Sequence, residues 1–402
     1  MSTPLRRGGP ETRGHGHDDG AGWDQARAAA HAAGTPAAPS LLPLEACAGL
    51  TLAADLAARI PVPHYASSAM DGWAVAGEGP WQLAEAPPGG RLEPGQAVPV
   101  VTGGLMPDGA SAVLRSEYGS VRGGLLVLGP DVAAGEPPAG RHIRPAGEET
   151  LAGETVVAAG TVLNPAHLAI AAVCGHDALP VIRRPEVALL LTGDEVVTAG
   201  IPGPGKVRDT FGPALPAMVA RLGGVPAPPV RLPDDFGTLL DAVRGCGADV
   251  VVTTGGTGHS PADHLRPVLA ELGARILVPS IRMRPGHPAL LAGLPDGRLL
   301  VGLPGNPLAA IMALLTLGAP LLAGFNARPL PPLGSVPAGA RLAPLSGRDR
   351  LVPYTLTAAG AVPVERAGSA MMRGLAGADG VAVVPAAGAA AGDLLRTLPL
   401  PW

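Results

Sequence analysis

Aromatic residues are scarce in this chain: three Phe, three Tyr and four Trp make up 2% of 402 residues. Any core must therefore be filled by Leu, Val, Ala and Ile. Cysteine is scarcer still, with Cys47, Cys174 and Cys246 far apart and no CxxC pair. That pattern excludes a disulfide framework and predicts buried thiols in a reducing cytoplasm. No basic block occurs and the formal net charge is −4, so the electrostatic footprint of a nucleic-acid binder is missing. The N-terminal stretch carries no apolar h-region, so no secretory signal is expected. One uncharged stretch, Leu299 to Phe325, has the length of a membrane span. Gly302, Pro304, Gly305, Asn306, Pro307 and Pro320 interrupt it, so it reads as a strand, a turn and a helix in a buried core, with no role at a membrane.

Glycine and proline are abundant, 58 and 47 residues, a level that can signal disorder. The 47% hydrophobic content argues against disorder for most of the chain, and the length calls for two or more domains. Residues 1–22 are polar and lack periodicity, which predicts a disordered tail. His15, His17, Asp18 and Asp19 within it read as solvated side chains, since flexible ligands offer a metal no fixed geometry. A helix is expected over 23–33, within a segment 23–40 joining the next compact part. From 41 to 181, short apolar runs between Gly/Pro turns predict β-rich modules, interrupted by a helix at 164–173. The periodicity then changes. Strands are expected at 187–191, 228–232, 250–254, 275–278 and 299–303, and helices at 213–222, 236–244, 264–272 and 307–317. This alternation predicts a doubly wound, mostly parallel α/β domain over 186–325. Residues 326–402 return to short strands and read as a small C-terminal β domain. The fold class is thus α/β plus β-rich domains, with 41–60 and 143–185 as a linker domain and 61–142 as an inserted β-rich domain.

Five segments carry chemistry. In Ala248 to Asp263 a short apolar strand runs into Thr253, Thr254, Gly255, Gly256, Thr257 and Gly258, with Asp263 five residues beyond. Glycines at this density let the backbone present N–H groups to an anion, so the segment reads as an oxyanion cradle with an acid on its rim, or as an ordinary βα turn. Thr192-Gly193-Asp194-Glu195 follows the first α/β strand; its two carboxylates suit a hard cation such as Mg²⁺, or a solvated turn. In Gly302 to Pro307, Asn306 can cap a helix with Pro307 at its first position, and the same turn favours a bound anion. Arg282 to Pro288 offers guanidiniums and an imidazole, as an oxyanion clamp or a solvated basic loop. Ser67 to Val75 combines a turn with hydroxyls and a carboxylate.

Together these segments resemble the molybdopterin molybdenumtransferases, the family of bacterial MoeA and the gephyrin E domain. SSAMDGWAV at Ser67–Val75, VTGG at Val101–Gly104 and IRPAGEE at Ile143–Glu149 occur in order with TGDE at Thr192–Glu195 and Asp209-Thr210. TTGGTG…AD at Thr253–Asp263, GLPGNP at Gly302–Pro307, Gly347-Arg348, Gly368-Ser369 and AVVP at Ala382–Pro385 follow. The resemblance covers roughly 23–402. It implies an elongated multidomain homodimer that inserts molybdenum from molybdate into adenylylated molybdopterin with Mg²⁺, releasing AMP. It assigns Asp71, Thr102, Glu195 and Asp263 to catalysis, the first two reaching across the dimer interface, and Asp194, Glu195 and Asp263 to the metal. It places Thr192, Gly193, Thr254, Gly255, Gly256, Thr257, Gly258, Pro304, Gly305 and Asn306 around the substrate, and Arg284, His287, Arg348 and Ser369 on the molybdate side. The molybdopterin adenylyltransferase and recipient molybdoenzymes are the implied partners. Arg284 and His287 stand where the family has two lysines, Glu149 where aspartate is common and Pro353 where a second arginine is usual. A non-catalytic molybdopterin-binding scaffold and an adenylyltransferase-like enzyme are the alternatives.

Overall fold

The computed structural model describes residues 20–85, 89–258 and 263–402. His15, His17, Asp18, Asp19 and His259 lie outside them. The chain forms two compact units, 39–182 and 1–38 with 183–402.

The 39–182 unit is built on a six-stranded sheet. Its order is Ala112–Arg115, Gly72–Val75, Gln96–Val100, Trp81–Leu83, Leu125–Leu128 and Gly119–Arg122. All neighbours are antiparallel except Trp81–Leu83 against Gln96–Val100. Successive side chains in a strand face opposite ways. Accordingly Val75 and Leu114 join Trp81 and Leu126 in one core, whereas Ala74 and Val113 join Leu92 and Met106 in another. A separate core of Cys47, Leu52, Leu163, Leu179 and Val181 sits where Ser40–Pro43 and Thr51–Leu52 flank Ala178–Ile182. Beside it runs the helix Pro165–Val173, capped by Asn164 Oδ1, which accepts from the His167 N–H at 2.9 Å. Cys47 and Cys174 are buried free thiols, and burial pushes both pKa values up.

The second unit carries a sheet in the order Val225–Pro226, Glu186–Thr192, Val250–Thr254, Leu299–Leu303, Leu290–Gly293 and Arg275–Val278. Val230–Leu232 also pairs with Glu186–Thr192. Pairing is parallel as far as Leu299–Leu303, and the last two pairings are antiparallel, so only Leu290–Gly293 runs against the rest. Val250–Thr254 and Leu299–Leu303 are buried on both faces, which explains their unbroken apolar character. Leu189, Leu191, Val252, Val301 and Leu303 enter one core, while Leu190, Val251 and Leu300 meet Leu265 and Leu269 of the helix Leu265–Glu271 in another.

Pro307–Phe325 is the one described helical run long and apolar enough to cross a membrane, and 94% of its apolar window is buried inside the unit. It continues past the expected end at Leu317. Pro307–Ala313 passes into a widened turn, Leu314–Gly318, before Ala319–Phe325. That wide turn accommodates Pro320, which has no N–H to give. The helix Trp23–Ala33 packs against this run: Trp23 Nε1 donates to Thr316 Oγ1 at 3.0 Å. At Gly324 a Cβ would fall 2.3 Å from the His31 carbonyl, so only glycine permits the crossing. Gly20–Gly22 is not part of a loose tail, because Ala21 bridges Ile281 and exchanges backbone hydrogen bonds with Ser280 and Arg282. The C-terminal sheet orders Met283–Arg284, Asp349–Thr357, Gly380–Val384, Leu394–Leu398 and Gly334–Pro337. Its Leu351, Val381, Val383 and Leu398 extend the main α/β core.

Candidate functional site

Three parallel strands of the second unit end side by side, with Leu191 opposite Thr254 and Thr254 opposite Leu303. This C-terminal edge is where an open α/β sheet receives ligands. Gly255 (φ +83°) and Gly256 (φ +61°) turn the chain there in the left-handed region. The Gly255 N–H donates to Leu303 O at 2.9 Å, and Thr192 Oγ1 donates to Thr254 O at 2.7 Å. A Cβ on Gly255 would lie 2.9 Å from that Thr192 oxygen, leaving no room for a side chain.

The strand ends enclose a cavity of about 680 Å³. Thr192, Gly193, Glu195, Gly255, Gly256, Thr257, Gly258, Asp263, Pro304, Gly305 and Asn306 line it, as expected from the sequence. Asn306 occupies the N-cap position of Pro307–Ala313, but its side chain makes no capping bond. Five charged or hydroxyl-bearing residues absent from the expected site set also line it: Arg208, Asp209, Thr210, Arg231 and Asp234. Asp209 Oδ1 accepts from the N–H groups of Phe211 and Gly212, both at 2.9 Å, and pairs with Arg231. Burial pushes the Asp209 carboxyl up, but the Gly212 and Phe211 N–H groups and the Arg231 guanidinium outweigh it, and the net pKa is lowered.

Several expected placements need correction. Asp194 does not line the cavity. Its Oδ1 accepts from the Asp234 N–H at 3.3 Å, and its own N–H donates to Asp234 Oδ2 at 3.1 Å, so it clips two turns together. Among the described residues no group of three His, Cys, Asp or Glu side chains is placed to hold a metal. The Thr254 side chain is fully buried, because its strand is covered on both faces, and only its carbonyl serves the turn. Arg284, His287 and Arg348 do not share the Gly255 cavity. They line a second cavity of about 680 Å³ with Arg282 and Asp349. The physical reason is the rigid turn 284–288: His287 lines the second cavity and Pro288 the first. Ser369 lines neither. Its carbonyl accepts from the Ala309 N–H at 3.1 Å, and its neighbour Ala370 lines the first cavity instead. His287 Nδ1 lies 2.7 Å from Ile281 O, so that nitrogen carries a proton, because a carbonyl only accepts.

Within the 39–182 unit, Asp71 and Thr102 are bound to each other. Asp71 Oδ1 accepts from the Thr102 N–H at 2.7 Å and from Thr102 Oγ1 at 3.1 Å, and both residues are exposed. These two bonds fix one carboxylate oxygen.

Comparison with known proteins identifies the family. Residues 22–175 match the MoeA N-terminal region (domains I and II), 188–324 a probable molybdopterin-binding domain and 335–400 the MoeA C-terminal region (domain IV). The molybdopterin molybdenumtransferase 2 of Mycobacterium tuberculosis is 31% identical over 299 residues, which cover 68% of this chain and 72% of that protein. The chain belongs to the molybdopterin molybdenumtransferase family. A second family member, from a Nostoc species, is 33% identical over 292 residues, 68% of this chain and 66% of the relative, so the match spans about two thirds of that protein. A solved MoeA protein from Pyrococcus horikoshii superimposes with a TM-score of 0.77 at 25% identity, covering 95% of this chain and 99% of its own.

Proposed function

We propose that this chain inserts molybdenum from molybdate into adenylylated molybdopterin and releases AMP, as a step of molybdenum cofactor biosynthesis. The observation that carries the reading is the Gly255–Gly258 turn, whose cavity also holds the two carboxylates Glu195 and Asp263. In this reading the backbone N–H groups of Gly256, Thr257 and Gly258 bind phosphate oxygens, as glycine-rich concavities do, while the Gly255 N–H holds the turn to Leu303 O. Glu195 and Asp263 orient the water that cleaves the phosphoanhydride and accept its proton. Arg284, Arg348 and His287 hold the tetrahedral dianion in the second cavity.

Mg²⁺ suits this donor set, because it is usually held by one or two carboxylates with substrate phosphates and waters. Glu195 and Asp263 are the residues that would hold it, and it would supply charge neutralisation on the pyrophosphate. Asp71 and Thr102 enter from the second copy of a homodimer. The protein acts in the cytoplasm, receives its substrate from a molybdopterin adenylyltransferase and passes product to recipient molybdoenzymes. Residues 186–325 serve as the molybdopterin-binding domain, 326–402 as the C-terminal β domain, and 41–60 with 143–185 and 61–142 as linker and inserted domains.

The test is AMP release from adenylylated molybdopterin in the presence of molybdate and Mg²⁺. Asp263→Asn and Glu195→Gln should each lower it by roughly a hundredfold or more while the unfolding midpoint stays near that of the wild type. Wild-type protein that binds the adenylylated pterin but releases no AMP would refute the enzyme reading and favour a scaffold.

A further inference from the structure

We propose that Arg282 is a third oxyanion-binding guanidinium, which with Arg284 and Arg348 makes the second cavity a three-arginine site for a tetrahedral dianion. The proposal deepens the functional reading above and rests on it. Arg284 belongs to the strand Met283–Arg284, and Arg282 stands at a bend just before it, where the Met283 N–H donates to Ile281 O at 2.7 Å. Ile281 and Met283 are fully buried, whereas Arg282 and Arg284 are exposed and both line the second cavity. Met283 pairs in parallel register with Asp349, and Arg282 O accepts from the Asp349 N–H at 3.0 Å. Arg282 and Arg348 immediately precede these two paired strands, and both line the cavity. Three guanidiniums gathered in one cavity repel one another unless something neutralises them.

Little in the protein does so. Among the described residues none of the three guanidiniums makes a hydrogen bond or an ion pair. The one carboxylate lining the cavity is Asp349; burial raises its pKa against the pull of the Ala386 N–H and the Arg396 and Arg282 guanidiniums, and it is a single negative charge facing three arginines. His287 also lines the walls, and an imidazole brings no negative charge. Space is also kept for Arg282. Gly22 lines the same cavity, and a Cβ there would approach Arg282 Nη2 to 3.3 Å. Guanidiniums in excess of the carboxylate beside them, held where two paired strands begin, are a preorganised receptor. The planar fork of arginine matches the oxygen spacing of an oxyanion better than an ammonium does.

The test is binding of molybdate alone to the full-length protein, by titration calorimetry at low and moderate ionic strength. Arg282→Ala should weaken binding roughly tenfold. It should also flatten the loss of affinity with added salt, because one cation has gone. Arg282→Lys keeps the charge without the fork and should fall between the two. The side chain is exposed, so melting temperatures should not separate the variants. Wild-type affinity in Arg282→Ala, with affinity lost in Arg348→Ala, would overturn this proposal and leave the functional reading standing. No saturable molybdate binding by any form, wild type included, would overturn both.

Discussion

Asp209→Ala should destabilise the 183–402 unit by about 2–4 kcal/mol, and the structure apportions that loss. Asp209 accepts two N–H bonds at 2.9 Å from the first turn of Phe211–Leu222, and losing a capping acceptor costs about 1 kcal/mol. Its other partner is Arg231, and removing the carboxylate leaves an enclosed guanidinium unpaired, at about 1–3 kcal/mol. The Asp209 side chain is only 8% exposed, so solvent screening rescues little of this. Asp209→Asn keeps an acceptor for the helix and loses only the charge, so it should show the second part alone. The pH dependence has a definite sign. The folded pKa of Asp209 is lowered, so the stabilisation is complete above the ordinary aspartate value and is lost as pH falls through the folded one. Wild type and Asp209→Asn should therefore converge in acid. Hydrogen exchange of the 211–222 amides reads this unit locally, which matters because a chain of two units need not unfold in one transition. Equal protection in wild type and Asp209→Ala at pH 7 would refute the reasoning, as would an Asn variant as damaged as the Ala one.

Gly255→Ala should cost roughly 1–2 kcal/mol from the left-handed backbone alone. It should also push Thr192 from its bond to Thr254 O, so AMP release should fall more than the unfolding midpoint does; equal activity would remove the turn from the site. Asp349→Asn should raise the urea midpoint at pH 7 and leave it unchanged near pH 4. Burial raises the folded pKa of Asp349, so the native state loses stability as pH rises through that value, and the amide is exempt. A midpoint lowered by the substitution at pH 7 would show that Asp349 is a stabilising counter-ion.

The α/β order was legible because buried parallel strands are continuous apolar runs with abrupt ends, and the glycine-rich turn follows such an end directly. Leu290–Gly293 went unassigned: four residues before a Pro-Asp-Gly turn carry no periodicity, and only pairing with Leu299–Leu303 on one side and Arg275–Val278 on the other makes them a strand. Pro320 was a reasonable stop signal for the helix, but a widened turn ahead of it kept the run going. Asp209-Thr210 was visible as a motif without a role, because its partner Arg231 lies on another strand and no local pattern announces a long-range ion pair. The Asp234-Asp235 pair after Val230–Leu232 was the available signal for Asp234, and it has the form of an ordinary helix cap. Asp235 does cap, accepting from the Thr238 N–H at 2.7 Å, so the two neighbours divide the work.

Charge of both signs lines each cavity: Glu195, Asp209, Asp234 and Asp263 with Arg208 and Arg231 in the first, and Arg282, Arg284 and Arg348 with Asp349 in the second. The turn 284–288 separates them as a shared wall, with Arg284 and His287 on one side and Pro288 on the other. Its rigidity has a packing origin. Met283 beneath it is fully buried, and a Cβ at Gly286 would meet the Met283 methyl at 2.5 Å and the Ala309 carbonyl at 3.2 Å. The wall is thus anchored to Pro307–Ala313, the same helix whose first residues close the glycine-rich cavity. A substrate with a phosphate end and a metal-accepting end would find its two chemistries held apart by one side of a single rigid turn each.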